Sequence, residues 1–536
     1  MKKILAIVFV IAIVLSFAAC GQKTPAPSAA PTPAASGQPS ASTPAPTPKT
    51  IQTLKIAHKA NPTSMFPTTV SNVSANGPVH CFLYDTLVAY NSEKDTFEPN
   101  IATEWKYLDD THIQFTIRKD VVAHDGSPIK ASDVIYSFNL GNDFGKNANY
   151  FGRFNFAECK VVDDYTLVLA TNVPDPYLFY TLANTCLAVV SEKAVKAGAS
   201  PEDQNKNPTA GTGPYKFVSW VDGASIKLER NENYWGETPY FDFVEIKIIT
   251  DASARIMNLE SGDVDVALDP VISQAKSLEG NPKYTVANFP TKTYNLMFLN
   301  CDSFEPFKDV KVRQAMALAI DYEAAVEIAM DGYGYVCDSL IPKASPAYAA
   351  PDGSYKNFFR YDPDAAKALL AESSYPNGFT VNLKYMENAI FPTLAQLVQD
   401  QLKKLNITVN LVPTASSVFY TDASAGNFEI YLASPSNPDP GVALNYYDGR
   451  VGFAKASGGT GWVGPKELDE LIDLAKSTID EAERNGYYKK IQAIINENVP
   501  AIILGSQNRV FVHDSDLAGI RYTPFSDVDL SRAYRK

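Results

Sequence analysis

The chain has 536 residues, of which 45% are aliphatic or aromatic and 20% are charged. This composition supports a large buried core and excludes an intrinsically disordered protein. Lys and Arg number 47 against 60 Asp and Glu, a formal net charge of −13. Nucleic acid is therefore not expected as a partner, because phosphate contacts need clustered cations.

The first twenty residues have the pattern of a signal peptide. A positive start (Met1-Lys2-Lys3) precedes an apolar run from Ile4 to Phe17, and small residues stand before Cys20. The apolar run is too short for a spanning helix, which needs about 20 residues. Its end, Phe17-Ala18-Ala19-Cys20, resembles a bacterial lipobox, and the resemblance implies that Cys20 becomes the lipidated (palmitate-bearing) first residue. A plain secretory signal with a chance cysteine is the alternative.

Residues 21–50 are predicted to form a tether. Pro, Ala, Ser and Thr occupy 24 of these 30 positions, and eight are Pro. Such a segment cannot build a core, and its prolines keep it semi-extended. We expect the globular body to begin near Ile51, with membrane contact only through the lipid.

Neither a metal nor another cofactor is expected. The five His are dispersed along the chain, and none lies three to five residues from another. After Cys20 the chain has an odd number of cysteines, so at least one thiol cannot pair within it. These are Cys81, Cys159, Cys186, Cys301 and Cys337. A Cys159–Cys186 disulfide stays open as a possibility.

The body reads as alternating strands and helices. Alternation of polar and apolar residues predicts strands at 112–117, 225–230 and 244–249, and a shorter strand opens the body at 54–57. Helical periodicity predicts helices over 310–330, 362–372, 394–405 and 480–496, and a strand over 407–412. Ser132 and Asp133 stand where a helix cap and a first-turn acid belong. This mixture, at this length, predicts an α/β body of more than one lobe.

Several blocks, taken in their order, resemble the family 5 extracellular solute-binding proteins, which serve ABC importers for oligopeptides, dipeptides, nickel and some sugars. The blocks are Pro99–Trp105 with Phe115–Arg118 and His124–Val134, Gly211–Tyr215 with Leu228–Gly236, Pro306–Asp321, Tyr361–Leu370, and Pro438-Asp439-Pro440. The resemblance covers nearly all of residues 51–536. Within these blocks, eight residues are interpreted as scaffold that holds turns and lobe packing: Trp105, Arg118, Asp125, Gly126, Arg230, Trp235, Arg313 and Asp321.

The resemblance implies a two-lobed periplasmic-binding-protein-like fold of type II, in its large three-subdomain class. Two crossing segments join the lobes, near 291–298 and 506–512. Residues 51–292 and 508–536 would form lobe I, with an inserted subdomain at roughly 85–208. Residues 293–507 would form lobe II.

The resemblance also implies a function without catalysis. The protein would be the lipid-anchored substrate-binding protein of an ABC importer, at the outer face of the cytoplasmic membrane. It would act as a monomer, close over a peptide or other small solute, and dock on permease and ATPase subunits. The alternatives are a sensing or chaperone lipoprotein on the same fold, or a secreted hydrolase. Against the hydrolase, the chain has no Gly-x-Ser-x-Gly and no His-Glu-x-x-His pattern.

Two departures from the family pattern leave the ligand itself open. Peptide-binding relatives carry an acid and a tryptophan before the Pro-Asp-Pro run, where this chain has Ser436 and Ala433. A hydroxyl cannot neutralise a buried ammonium, and loss of the indole would enlarge the pocket. Asp439 and Glu429 are acids that could substitute, although Asp439 would equally suit a turn cap.

The predicted ligand-binding residues lie around the cleft that the resemblance implies. They are Ser436, Asn437, Asp439, Tyr294, Asn295, Tyr385, Glu387, Tyr446 and Trp462. Asn61–Phe66, Met386, Asn388 and Tyr447 are further candidates by position. Aromatic faces with a few polar groups would suit a peptide or a sugar, and a chelated metal is not excluded.

Overall fold

The computed structural model describes residues 51–69, 73–145, 147–198, 200–388, 390–435, 440–450, 461–523 and 527–536. The predicted signal peptide, the tether and Cys20 lie outside these residues. In chain order, the strands are β1 (Thr53–His58), β2 (Val88–Asn91), β3 (Thr96–Pro99), β4 (Ala102–Tyr107), β5 (His112–Ile117), β6 (Lys160–Asp163), β7 (Thr166–Ala170), β8 (Tyr215–Val221), β9 (Ser225–Arg230), β10 (Phe243–Ile248), β11 (Val266–Leu268), β12 (Tyr284–Phe289), β13 (Tyr294–Leu299), β14 (Gly334–Tyr335), β15 (Thr380–Met386), β16 (Thr408–Thr414), β17 (Ile430–Ala433), β18 (Ala501–Gln507), β19 (Arg509–Asp514), β20 (Leu517–Ala518), β21 (Arg521–Tyr522), β22 (Val528–Asp529) and β23 (Tyr534–Arg535).

The helices connect these strands. They are α1 (Val73–Leu83), α2 (Ala131–Phe144), α3 (Ala148–Phe151), α4 (Leu178–Leu182), α5 (Glu192–Ala197), α6 (Ala252–Glu260), α7 (Ile272–Ser277), α8 (Val310–Ala319), α9 (Tyr322–Met330), α10 (Pro363–Ala371), α11 (Phe391–Leu402), α12 (Ser416–Ala425), α13 (Pro440–Ala443), α14 (Lys466–Ser477) and α15 (Glu481–Asn498). Short 3-10 turns lie at Pro67–Thr69, Thr185–Leu187, Pro201–Asn205, Glu305–Lys308, Lys403–Leu405 and Leu444–Tyr446.

The first lobe is built on a seven-stranded mixed sheet in the order β12-β19-β11-β1-β10-β9-β8. β1 pairs in parallel with β10 and β11, whereas the outer strands pair antiparallel. A four-stranded antiparallel sheet, in the order β4-β5-β7-β6, forms a separate layer with its own hydrophobic core. β5 buries every second residue, as its alternating sequence predicts.

The second lobe is built on a six-stranded sheet in the order β14-β18-β13-β17-β15-β16. β15 runs parallel to both β16 and β17, and β13 pairs antiparallel with β17 and β18. All six residues of β13 are buried. Such a continuous apolar strand is typical of a sheet covered on both faces. The structure is thus a two-lobed α/β fold.

The chain passes between the two sheets twice. Residues 290–293 connect β12 to β13, and residue 508 connects β18 to β19. The two passages are hydrogen-bonded to each other: Thr291 Oγ1 donates to the Gln507 carbonyl (2.7 Å), and Ser506 Oγ donates to the Thr293 carbonyl (2.6 Å). The passages therefore lie side by side, as a pair of crossing segments would.

Two sequence predictions about helices are wrong in detail. The helix predicted over 310–330 is two helices, because the Asp321 side chain accepts the Ala324 amide (3.0 Å) and caps a new helix there. At α2 the cap position is Lys130, and Ser132 lies inside the first turn. Asp133 does act there, as its carboxylate accepts the Lys130 amide (2.8 Å).

The cysteines are not paired. Cys81, Cys159, Cys186, Cys301 and Cys337 are all free thiols, which decides against a Cys159–Cys186 disulfide. Cys159 instead accepts the Ala170 amide at its sulfur (3.3 Å), while Cys186 is buried among apolar side chains. They pack as small hydrophobic residues, as free cysteines commonly do.

Candidate functional site

A cavity of about 310 Å³ lies in the second lobe, at the carboxyl ends of the parallel strands β15 and β17. In open α/β sheets, ligands bind outside the carboxyl ends of the strands. We call this space the aromatic cavity. Its lining is Phe298, Met386, Asn388, Phe391, Phe419, Tyr420, Ala423, Tyr431, Ala433, Ser434, Pro435 and Tyr446.

Stacked rings fix the wall of the aromatic cavity. Phe419 of α12 stacks on Tyr431 of β17, with ring centroids 4.2 Å apart and planes 18° apart. Phe298 of β13 contacts both Tyr446 (5.6 Å) and Tyr431 (6.3 Å). Because Phe298, Phe419 and Tyr431 are nearly inaccessible to solvent, packing holds their faces in place. Tyr420 is the exception, with 56% of its surface exposed.

The polar end of the cavity is formed by the segment that leaves β17. Ser434 Oγ donates to Asn295 Oδ1 (2.5 Å), and Asn295 Nδ2 donates to the Gly505 carbonyl (3.4 Å). The Pro435 carbonyl accepts the Tyr294 amide (3.3 Å). The start of β13, beside the crossing segment, therefore holds the residues that close one side of the cavity.

No charged side chain is part of the described lining. Burial raises the pKa of Tyr446 to about 12, and it raises the pKa of Tyr431 further, so both phenols stay neutral at physiological pH. On the same elements, Lys384 and Asp422 form an ion pair with each other (2.7 Å). The cavity thus offers apolar faces and neutral hydrogen-bonding groups.

The predicted binding residues are only partly brought together. Tyr446 lines the aromatic cavity, and Asn295 accepts a hydrogen bond from the lining residue Ser434. Tyr385 and Trp462 are buried in the core of the second lobe, and Glu387 is exposed beside the lining residues Met386 and Asn388. Ser436, Asn437 and Asp439 lie outside the described residues.

Glu429 is poorly placed to replace the acid that the sequence lacks. It precedes β17, whereas the cavity lies beyond the other end of that strand. Its carboxylate accepts both the Asn382 amide (2.6 Å) and the Asn382 Nδ2 (3.1 Å). Glu429 therefore ties the start of β17 to the start of β15.

Sequence reasoning missed most of the aromatic wall. Phe391, Phe419, Tyr420 and Tyr431 come from three separate elements and carry no common motif. The usable signal is that Met386 and Asn388 are among the sequence candidates named by position around the cleft. Helix α12 contributes its residues only because the chain returns across the sheet between β16 and β17.

The crossing segment carries a buried cation. Lys292 Nζ lies 3.5 Å from Asp95 Oδ1 and 4.6 Å from the ring centroid of Tyr180. The Tyr90 and Tyr180 hydroxyls also donate to Asp95 (2.6 and 3.0 Å). Burial lowers the pKa of Lys292. The predicted ligand-binding residue Tyr294 lines a water-sized cavity of about 10 Å³ with Lys292 and Tyr447.

A second cavity of about 80 Å³ lies in the first lobe and is polar. We call it the charged cavity, and its lining includes Asp85, Tyr234, Arg521, Asp529 and Arg532. Asp85 accepts from Tyr234 Oη (3.1 Å) and Trp235 Nε1 (3.0 Å), and Arg521 pairs with Asp529 (2.9 Å).

The described residues hold neither a candidate metal site nor a candidate membrane span. These residues contain no group of three His, Cys, Asp or Glu placed to hold a metal ion. They also contain no helix with both the length and the apolarity that crossing a membrane requires.

The scaffold interpretation of the motif residues agrees with their contacts. The Arg118 guanidinium lies 4.5 Å from the Trp235 ring centroid. Arg313 donates to the carbonyls of Phe307 (2.5 Å) and Asn498 (2.8 Å). Such contacts hold turns and helix ends together rather than facing a cavity.

Known proteins resemble this chain over most of its length. The heme-binding protein A of Haemophilus influenzae is 28% identical over 452 residues, which cover 78% of this chain and 81% of that protein. The dipeptide-binding protein of Escherichia coli is 26% identical over 452 residues, covering 79% and 83%. Among solved structures, a dipeptide binding protein from a Pseudoalteromonas species, in complex with Met-Leu, superposes with a TM-score of 0.74 at 24% identity. That superposition covers 90% of this chain and all of the other.

A family profile gives the assignment. Residues 96–454 match the bacterial extracellular solute-binding proteins, family 5. The matched region spans the four-stranded sheet, the crossing at 290–293 and the strands that carry the aromatic cavity. The resemblance seen in the sequence motifs is confirmed, and the chain belongs to the bacterial extracellular solute-binding proteins of family 5.

Proposed function

We propose that this protein is the substrate-binding protein of an ABC importer, capturing a peptide-like or other small solute and delivering it to a membrane permease. The observation that carries the proposal is the aromatic cavity, placed at the carboxyl ends of β15 and β17 beside the crossing segments. A cavity of about 310 Å³ is in the range of small-molecule sites, roughly 300 to 1,000 Å³.

Capture would proceed by closure of the two lobes about the crossing segments. Only residues 290–293 and residue 508 join the two large sheets, so rotation there moves one sheet against the other. A ligand shifts this equilibrium only as far as it binds the closed form more tightly than the open form. We place the lobe boundaries at 51–292 with 508–536, and at 293–507, with a subdomain at roughly 85–208.

Anchoring belongs to the same proposal. Cys20 would carry the lipid, and residues 21–50 would tether a monomeric body to the outer face of the cytoplasmic membrane. Cys20→Ser should move the protein from the membrane fraction to the medium or periplasm. Ala19→Ser, which keeps the cysteine, is the matched control, and membrane retention of Cys20→Ser would refute the anchor.

The ligand is best identified directly. Native mass spectrometry of the protein as purified should show a retained small solute, because a closed lobe pair releases its ligand slowly. The names of the relatives point to two classes, since one is a dipeptide-binding protein and another binds heme. Recovery of a peptide-like or other small-solute adduct would support the proposal, and an absence of any retained or titratable small solute would contradict it.

The permease partner needs a separate experiment. Crosslinking in the native membrane, followed by purification, should recover permease and ATPase subunits with the binding protein. Recovery of a sensor protein instead would favour the alternative of a sensing lipoprotein on this fold.

A further inference from the structure

We infer that the aromatic cavity receives an uncharged aromatic or branched aliphatic group of the ligand, and that Ala433 sets the size of that group. The inference rests on the proposed function, because it assigns a substrate class to the same site. It depends on the chemistry of the lining, the rigidity of the wall and the position of one small residue.

The described residues of the lining include no group that could neutralise a charge. Its described side chains are aromatic, aliphatic or neutral polar, and the polar ones are Asn388, Ser434 and the tyrosine hydroxyls. A charge moved from water into such a space loses its hydration without gaining a partner, which makes binding strongly unfavourable. An apolar group gains free energy in proportion to the area that it buries.

Charges near the cavity are used elsewhere. Lys384 Nζ donates to Asp422 (2.7 Å) and to the Asn427 carbonyl, and neither Lys384 nor Asp422 is among the described lining residues. Glu387 is exposed and is not among the lining residues. The described lining therefore offers no charged side chain as a partner for a charged ligand group.

The wall is preorganised for a flat or branched group. The Phe419–Tyr431 stack and the Phe298 contacts hold ring faces toward a common space. Aromatic rings favour offset or edge-to-face partners at centroid distances of about 4.5 to 7 Å. A phenyl or isobutyl group can meet several such faces, whereas a flexible polar chain loses its hydration there.

Ala433 is the residue that sets the size. It is the last residue of β17, and its methyl group lines the cavity between Tyr431 and Ser434. Strand pairing with Leu296 fixes its position, so a larger side chain here would project into the cavity rather than move aside.

The test uses the intact protein and four capped peptides, acetyl-Gly-X-Gly-amide with X as Phe, Leu, Lys or Glu, titrated by calorimetry. We expect the Phe and Leu peptides to bind at least tenfold more tightly than the Lys and Glu peptides. Ala433→Trp should weaken binding of the Phe peptide at least tenfold. Ala425→Trp, an exposed position on α12, is the matched control and should leave all four affinities unchanged.

A second variant keeps the inference testable if Ala433→Trp folds poorly. Met386 is a half-buried lining residue, so Met386→Lys can place an ammonium group at the wall. It should raise the affinity of the Glu peptide relative to the Phe peptide by at least tenfold. Equal affinity of the wild-type protein for all four peptides, or an unchanged preference in both lining variants, would overturn the inference.

Failure of the proposed function would look different. If none of the four peptides binds, peptide capture is contradicted, and the cavity is then tested with indole and benzylammonium as probes. Binding of indole but not benzylammonium, abolished by Ala433→Trp, would support the inference for another ligand class. Absence of indole binding, or equal binding of both probes, would overturn it.

Discussion

The aromatic cavity of the second lobe and the charged cavity of the first lobe differ in how their lining groups are satisfied. In the charged cavity, Asp85 is held by Tyr234 and Trp235, and Arg521 is held by Asp529. In the aromatic cavity, the lining consists mostly of ring faces and methyl groups. The polar groups of the charged cavity bind each other. The apolar faces of the aromatic cavity would gain most free energy by burying an apolar group of a ligand.

This difference assigns the two cavities different tasks. Asp85 lies between α1 and β2 and binds residues that follow β9, so the charged cavity holds two parts of the first lobe together. The aromatic cavity is lined by residues of the second lobe and lies beside the crossing segments. Substitutions should therefore affect stability in the first case, and mainly ligand binding in the second.

The largest effect is expected for Asp85→Ala. Asp85 is 7% exposed, and its loss leaves the Tyr234 hydroxyl and the Trp235 indole nitrogen without their acceptor. Breaking such a buried network should lower the free energy of unfolding by about 3 kcal/mol. Urea unfolding measures it. Asp110→Ala, an exposed position, is the control, and equal midpoints for the two variants would contradict the assignment.

A pH dependence should accompany this network. Burial raises the pKa of Asp85 to about 6 and that of Asp527 also to about 6. Because the folded pKa lies above the unfolded value of about 4, the folded state takes up protons more readily. Stability contributed by these groups is therefore lost as pH rises from about 4 to 6, by up to about 3 kcal/mol for each.

Asp85→Asn separates the two groups. It should remove the part of the pH dependence of the unfolding free energy that comes from Asp85, and leave the part that comes from Asp527. Unfolding by urea at pH 4, 5, 6 and 7 measures both slopes. Identical slopes in the wild-type protein and the variant would show that Asp85 does not titrate in this range.

A smaller effect is expected in the wall of the aromatic cavity. Phe419→Leu keeps an apolar side chain but removes the ring stacked on Tyr431. The free energy of unfolding should fall by about 1.5 kcal/mol, because the shorter side chain also packs less well. Val418→Ala, at an exposed neighbour, is the control and should cost less than about 0.5 kcal/mol. If Phe419→Leu lowered the free energy of unfolding as much as Asp85→Ala, the proposed difference between the two cavities would be contradicted.

The smallest effect is expected at the rim of the charged cavity. The Arg521 side chain is 39% exposed, so its ion pair with Asp529 is screened by solvent. Arg521→Gln should change the free energy of unfolding by less than about 1 kcal/mol, and added salt should reduce the difference further. A salt-independent loss above about 2 kcal/mol would show that the pair acts as a buried one.

The sequence by itself determined the family and the two-lobed α/β fold. Motif blocks such as Gly211–Tyr215 and Pro306–Asp321 specify turns and caps through short-range rules that need no knowledge of the rest of the chain. The alternation in β5 and β9 likewise identified strands, because side-chain period is a local property. The single helix predicted over 310–330 is wrong, because Asp321 caps a new helix and divides this periodic stretch into α8 and α9.

Only the tertiary structure decided which residues share the aromatic cavity. Phe298, Phe391, Phe419 and Tyr446 lie far apart in sequence, and sheet order rather than chain order brings their rings together. Tyr385 and Met386 adjoin in sequence, yet pleating buries Tyr385 in the core and turns Met386 to the cavity. The sequence determines the chemistry of each side chain, but the long-range pairing of strands determines whether that side chain faces the core or the cavity.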